Sequence, residues 1–156
     1  MITREIEAWR PPVGRPLMGL DLGTKTIGVA ISDIRHRIAT PLETIRRRKF
    51  GADAAALHAL MAERDVGAIV LGLPLNMDGS EGPRAQSSRA FARNFTALHD
   101  TAVLLWDERL STVAAERALL EADTSRGKRA DVIDQVAAGL ILQGALDRIS
   151  FLENSP

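Results

Sequence analysis

Two apolar runs, Leu17–Leu22 and residues 27–32, are separated only by Gly23-Thr24-Lys25-Thr26. Runs of strand length joined by so short a polar turn predict an antiparallel hairpin. A third and more exposed strand is expected over residues 38–45, and Pro41 places it at a sheet edge because proline donates no ladder hydrogen bond. The pattern then changes period. Leu57, Leu60 and Met61 recur at helical spacing within residues 52–65, and Gly67 follows as the expected C-cap. Residues 68–73 are continuously apolar, as in a strand buried on both faces. Pro, Asn, Asp, Gly and Ser mark residues 74–83 as a loop.

A second helix is read over residues 84–99, with Phe91, Ala92, Phe95 and Leu98 inward. Residues 102–106 form another buried strand. Ser111 is the expected N-cap of a helix reaching residue 122. Residues 123–129 read as a polar, basic loop, and residues 131–149 as the last helix. The order β-β-β-α-β-α-β-α-α predicts an α/β fold: a mixed five-stranded sheet with a leading hairpin, then parallel strands, flanked by helices. Residues 17–150 are expected to form a single domain. Residues 1–16 are read as a flexible extension and residues 151–156 as a tail.

Within that scheme Asp21 is anomalous, being the one charge inside the first apolar run. A buried carboxylate is costly unless something pairs with it. Asp107 and Glu108 follow the strand ending at Trp106, and Asp131 and Asp134 lie at the start of the last helix. Neighbouring strand residues point to opposite faces, so one of Asp107 and Glu108 can aim at Asp21, and periodicity does not choose between them. Asp131 is the simpler N-cap, whereas Asp134 borders the apolar stripe. Acids gathered at one spot repel unless a divalent cation joins them. Hard oxygen ligands suit Mg²⁺ or Mn²⁺, and a pair of ions about 3.5–4 Å apart serves phosphodiester cleavage.

Other chemistries lack their residues. The 156-residue chain has no cysteine, which excludes thiolate ligands and nucleophiles and fits a reducing compartment. His36, His58 and His99 read as surface residues with no serine–acid set around them. No apolar run approaches a membrane span, and the N-terminus lacks signal-peptide character. Formal net charge is zero, which counts against a protein that coats nucleic acid without specificity. Basic clusters nevertheless occur at residues 46–49 and 126–129. With 4% aromatic residues, base stacking is not the expected mode of contact.

Four motifs in order carry a family resemblance: Gly19-Leu-Asp21-Leu-Gly23-Thr-Lys25-Thr-Ile-Gly28, Gly72-Leu-Pro74-Leu-Asn76-Met-Asp78-Gly79, Asp107-Glu108-Arg109-Leu-Ser111-Thr112, and Gly127-Lys128 with Asp134, Ala137 and Ala138. Together they resemble the YqgF family, bacterial proteins of RNase H-like fold described as Holliday-junction-resolvase-like and as pre-16S rRNA nucleases. The resemblance runs from about Leu17 to Ile149. It implies an RNase H-like fold, a cytoplasmic protein, and metal-dependent cleavage of structured nucleic acid at the 5′ end of 16S rRNA precursors. Carried over by position, it implies Asp21, Glu108 and Asp134 as catalytic, metal-binding acids, with Asp107 and Asp131 as second choices. Lys25, Asn76, Arg84, Arg109 and Lys128 are the expected substrate contacts.

Cleavage of a four-way DNA junction uses the same acids and is the nearest alternative, for which a two-fold symmetric homodimer rather than a monomer would be suited. A non-catalytic nucleic-acid-binding module is a second alternative, though such a module has no reason to gather carboxylates. Actin-like ATPases and sugar kinases share the Asp-x-Gly-Thr-Lys turn but need two lobes around the nucleotide, and this chain has length for one.

Overall fold

A computed structural model describes residues 1–123 and 126–155, without the side chains of Ala114 and of residues 123–131. The described residues form a mixed sheet of six strands, β1 (Ile2–Thr3), β2 (Leu17–Leu22), β3 (Thr26–Ser32), β4 (Ala39–Arg46), β5 (Ala68–Leu73) and β6 (Ala102–Asp107). Their order across the sheet is β1-β6-β5-β2-β3-β4. The pairs β2–β3 and β3–β4 are antiparallel, while β2–β5, β5–β6 and β1–β6 are parallel. The predicted hairpin is present, and β4 carrying Pro41 is an edge strand whose register shifts between Val29 and Ala30 of its partner.

Period-two alternation sorts the strands onto two faces. Met18, Leu20 and Leu22 of β2 join Ile69, Leu71 and Leu73 of β5 in one core. That core is closed by α1 (Phe50–Arg64) and α2 (Pro83–Leu98) through Leu57, Met61, Phe91 and Phe95. Leu17, Val70, Leu104 and Trp106 face the other way, against α4 (Arg126–Glu153) and its Ala138, Ile141, Leu142 and Ala145. The shorter α3 (Val113–Asp123) packs on α4.

Several expectations are corrected. There are six strands, because β1 adds parallel to β6 from within residues 1–16, the segment read as a flexible extension. In that same segment Trp9 is 3% exposed and belongs to the α4-side core. Two residues carry no readable period, so β1 had no signal in the sequence. Helix α1 ends at Arg64 and its C-cap is Asp65, in the left-handed conformation at φ 54°, rather than Gly67. Helix α3 begins at Val113, and the Ser111 hydroxyl instead donates to the Glu108 carbonyl at 3.0 Å. Helix α4 begins at Arg126, so Asp131 lies inside it rather than capping it, and residues 126–129 are helical rather than loop. Among the described residues no helix is long and apolar enough to cross a membrane.

Candidate active site

The carboxyl ends of β2, β5 and β6 meet at one end of the sheet, where ligands of such sheets bind. The α4-facing positions there are Gly28, Asp21, Gly72 and Trp106, and the register pairs Asp21 with Gly28 and Gly72 with Trp106. On the other side Leu20 pairs with Leu71, so Gly72 follows in register beside Asp21; Asp21 is flanked by two residues without side chains, and both gaps are used. A Cβ on Gly28 would come 1.9 Å from the carbonyl oxygen of Asp134, so the main chain of α4 rests directly on β3. A Cβ on Gly72 would come 2.9 Å from Glu108 Oε2, so that carboxylate lies over β5 beside Asp21.

This settles which neighbour turns inward. Asp107 ends β6, caps the 3₁₀ turn Glu108–Leu110 by accepting from the Arg109 N–H at 3.0 Å, and pairs with the Arg109 guanidinium at 2.8 Å. The Arg109 hydrogen bond holds the Asp107 carboxyl below its ordinary range. Glu108 turns back over the sheet. Burial first, and then the charge of Asp21, push its carboxyl above the usual glutamate range, with Arg117 opposing both.

Arg117 is the residue the sequence reading missed. Its Nη2 donates to Asp21 Oδ1 at 2.5 Å and its Nη1 reaches Glu108 Oε1 at a long 3.4 Å. Asp21 is 3% exposed, and a carboxylate so buried requires such a partner. Burial works against the Arg117 charge, but Asp21, Glu108 and Asp134 outweigh it and hold the guanidinium above its ordinary value. The signal was in the sequence. Val113 is buried, and Arg117 lies one turn further along the same face of α3. An arginine there is as anomalous as an aspartate in β2.

Asp134 completes the arrangement from α4, where its carboxylate accepts a hydrogen bond from the Thr26 hydroxyl at the start of β3. Asp21, Lys25, Arg46, Arg84, Arg117 and Asp134 line one open cavity of about 540 Å³. Asp21 and Asp134 thus face a common space, and the Arg117 guanidinium ties Asp21 to Glu108. Among the described residues, no three histidine or acidic side chains stand close enough together to hold an ion. The donor chemistry still fits a hard divalent cation: carboxylate and hydroxyl oxygens, one carboxylate deeply buried, and mutual repulsion that a positive charge already relieves.

The other expected contacts divide. Lys25 and Arg84 are exposed and border the cavity, and Arg46, from a cluster not assigned to the site by the sequence, joins them. The Lys25 turn is held from behind: the Arg47 N–H donates to the Lys25 carbonyl at 2.8 Å and its guanidinium to the Gly23 carbonyl at 2.7 Å. Buried Asp53 anchors that strap by accepting from the Arg48 N–H at 2.9 Å. Asn76 is engaged inside its own loop with Ser80 at 2.9 Å. Arg109 is taken up by Asp107 and also donates to the Met77 carbonyl at 3.3 Å, so it braces that loop rather than reaching Glu108. The side chains of Lys128 and Asp131 lie outside the described residues.

A family model described as "RuvX: Holliday junction resolvase" matches residues 15–148. A Ruegeria pomeroyi protein named "Putative pre-16S rRNA nuclease" is 66% identical over 147 residues, covering 94% of this chain and 95% of its own. A Paracoccus denitrificans protein of the same name is 62% identical over 154 residues, covering 97% and 98%. Among solved structures, Thermus thermophilus RuvC in complex with a Holliday junction substrate superposes with a TM-score of 0.55 at 10% identity, covering 87% of this chain and 96% of that one. At that identity the likeness is one of fold.

Proposed function

Because the chain belongs to the family described as RuvX, Holliday junction resolvase, we propose that it is a metal-dependent nuclease that cleaves structured nucleic acid. Its proposed substrate is the 5′ region of precursor 16S rRNA, and its place is the cytoplasm. The names of its relatives support the substrate. The observation that carries the chemistry is that Asp21 and Asp134 line one basic-walled cavity while Arg117 ties Asp21 to Glu108, three acids from separate elements.

In this reading Asp21, Glu108 and Asp134 hold Mg²⁺ or Mn²⁺. The chemistry such an ion supplies when bound is activation of water and neutralisation of charge at the leaving oxygen. The chain's own residues bind and orient. Lys25, Arg46 and Arg84 take backbone phosphates along the cavity rim, contacts that fix register without reading sequence. The Gly28 contact fixes Asp134 against the sheet, and the Gly72 gap fixes Glu108 beside Asp21.

The test is cleavage of precursor 16S rRNA and of a four-way DNA junction in Mg²⁺ or Mn²⁺, by the wild type and by Asp21→Asn. Cleavage of the RNA that drops by about 10²-fold or more in the variant is expected. Equal activity in both proteins would end the proposal. The RuvC likeness and the family's description favour one second reading, junction resolution. Junction cleavage without RNA cleavage, by a protein whose solution mass is that of a dimer, would establish it instead.

A further inference from the structure

Arg117 is more than a counter-ion of convenience. Its guanidinium stands between two carboxylates that come from β2 and from the turn after β6, and it is itself three-quarters covered. Among the described residues it is the only cation within ion-pair distance of either acid. Its charge also interacts with Asp134 across the cavity. With the guanidinium in place the acids are not spaced for an ion. A divalent cation and a guanidinium seeking the same oxygens repel each other, so both cannot hold Asp21 and Glu108 together at close range.

We infer that Arg117 is a tethered occupant of the acid cluster that exchanges with the divalent cation, holding Asp21 and Glu108 together until the ion arrives and leaving when it binds. This rests on the reading of these acids as a metal site. It goes further in making metal binding conditional on displacement of one side chain of the same molecule. Two features of the structure make the exchange feasible. Arg117 belongs to α3, which packs on α4 and is not part of the sheet that carries Asp21. The space beside it is open cavity rather than core. The rigid partners are the acids, fixed by the sheet and by the Gly72 gap, and the movable one is the long side chain.

The experiment is a titration of Mn²⁺ into metal-free protein, read from the EPR signal of the free ion, for the wild type, Arg117→Gln, Arg117→Lys and Asp21→Asn. Removing the occupant is expected to tighten Mn²⁺ binding by about tenfold or more in Arg117→Gln, with Arg117→Lys between it and the wild type. Binding that Asp21→Asn removes but that is equal or weaker in Arg117→Gln overturns the exchange and leaves the metal reading standing. Ion uptake in which Asp21 has no part overturns both. A measurement on the wild type decides if the Gln variant does not fold. The side-chain NMR resonance of Arg117, hydrogen-bonded in EDTA, is expected to lose its protection from solvent exchange as Mg²⁺ saturates the site. A resonance unmoved at saturation overturns the proposal.

Discussion

Glycine at 28 and glycine at 72 meet very different neighbours, and that difference can be measured. A methyl group at position 28 collides with the main chain of α4, which cannot step aside without carrying Asp134 with it. Gly28→Ala is expected to cost about 3 kcal/mol or more in urea unfolding, at the high end for overpacking. At position 72 the methyl group meets Ile141 Cδ1 at 2.6 Å and the Glu108 carboxylate, both ends of side chains. Gly72→Ala is expected to cost less, about 1–2 kcal/mol, while moving Glu108 and lowering cleavage. Glu108 also sets a pH dependence. Its carboxyl is raised in the fold, chiefly by burial, so between the unfolded and folded values the native state alone keeps the proton. Stability from this group is present below the unfolded value and is lost as pH rises through the folded one. In metal-free urea melts Glu108→Gln should exceed the wild type in stability near neutral pH, the gap closing below pH ~4. Asp21 was legible because a charge interrupted an apolar strand, and the same anomaly in α3 would have shown Arg117. Which of Asp107 and Glu108 turns inward was not legible from the residues alone, because it depends on Arg109 capturing Asp107 and on the space above Gly72.

At the scale of elements, the hairpin and the two buried parallel strands could be read because each has a clean period or a continuous apolar run bounded by turn residues. Helix ends were harder. The start of α4 at Arg126 was obscured because Arg126, Lys128 and Arg129 look like loop composition, although basic residues are good helix formers. The expected Gly67 cap was bypassed because Asp65 reaches the left-handed conformation first and the chain turns into β5. The strap from Asp53 through Arg48 and Arg47 to the Lys25 turn joins α1 to the site through side chain–backbone hydrogen bonds that no spacing rule reveals.

For the whole molecule, the segment before β2 is the part the sequence concealed. Trp9 lies in the α4-side core, yet among the described residues its indole N–H has no hydrogen-bond partner. Trp9→Ala is therefore expected to lower stability by about 3–5 kcal/mol, while Trp9→Phe, which keeps apolar bulk and removes the unpaired donor, should cost much less; thermal or urea melts of the two variants check this. The short strand β1 has a wider consequence. The other border of the sheet, β4, carries a proline that interrupts its hydrogen bonding, and β1 covers the border at β6 with two residues only. Neither flank offers a long row of free amide and carbonyl groups on which a stray chain could template itself. The first few residues act as a selvedge: cut them away and β6, a run of Val, Leu, Leu and Trp, becomes the kind of bare margin along which copies polymerise.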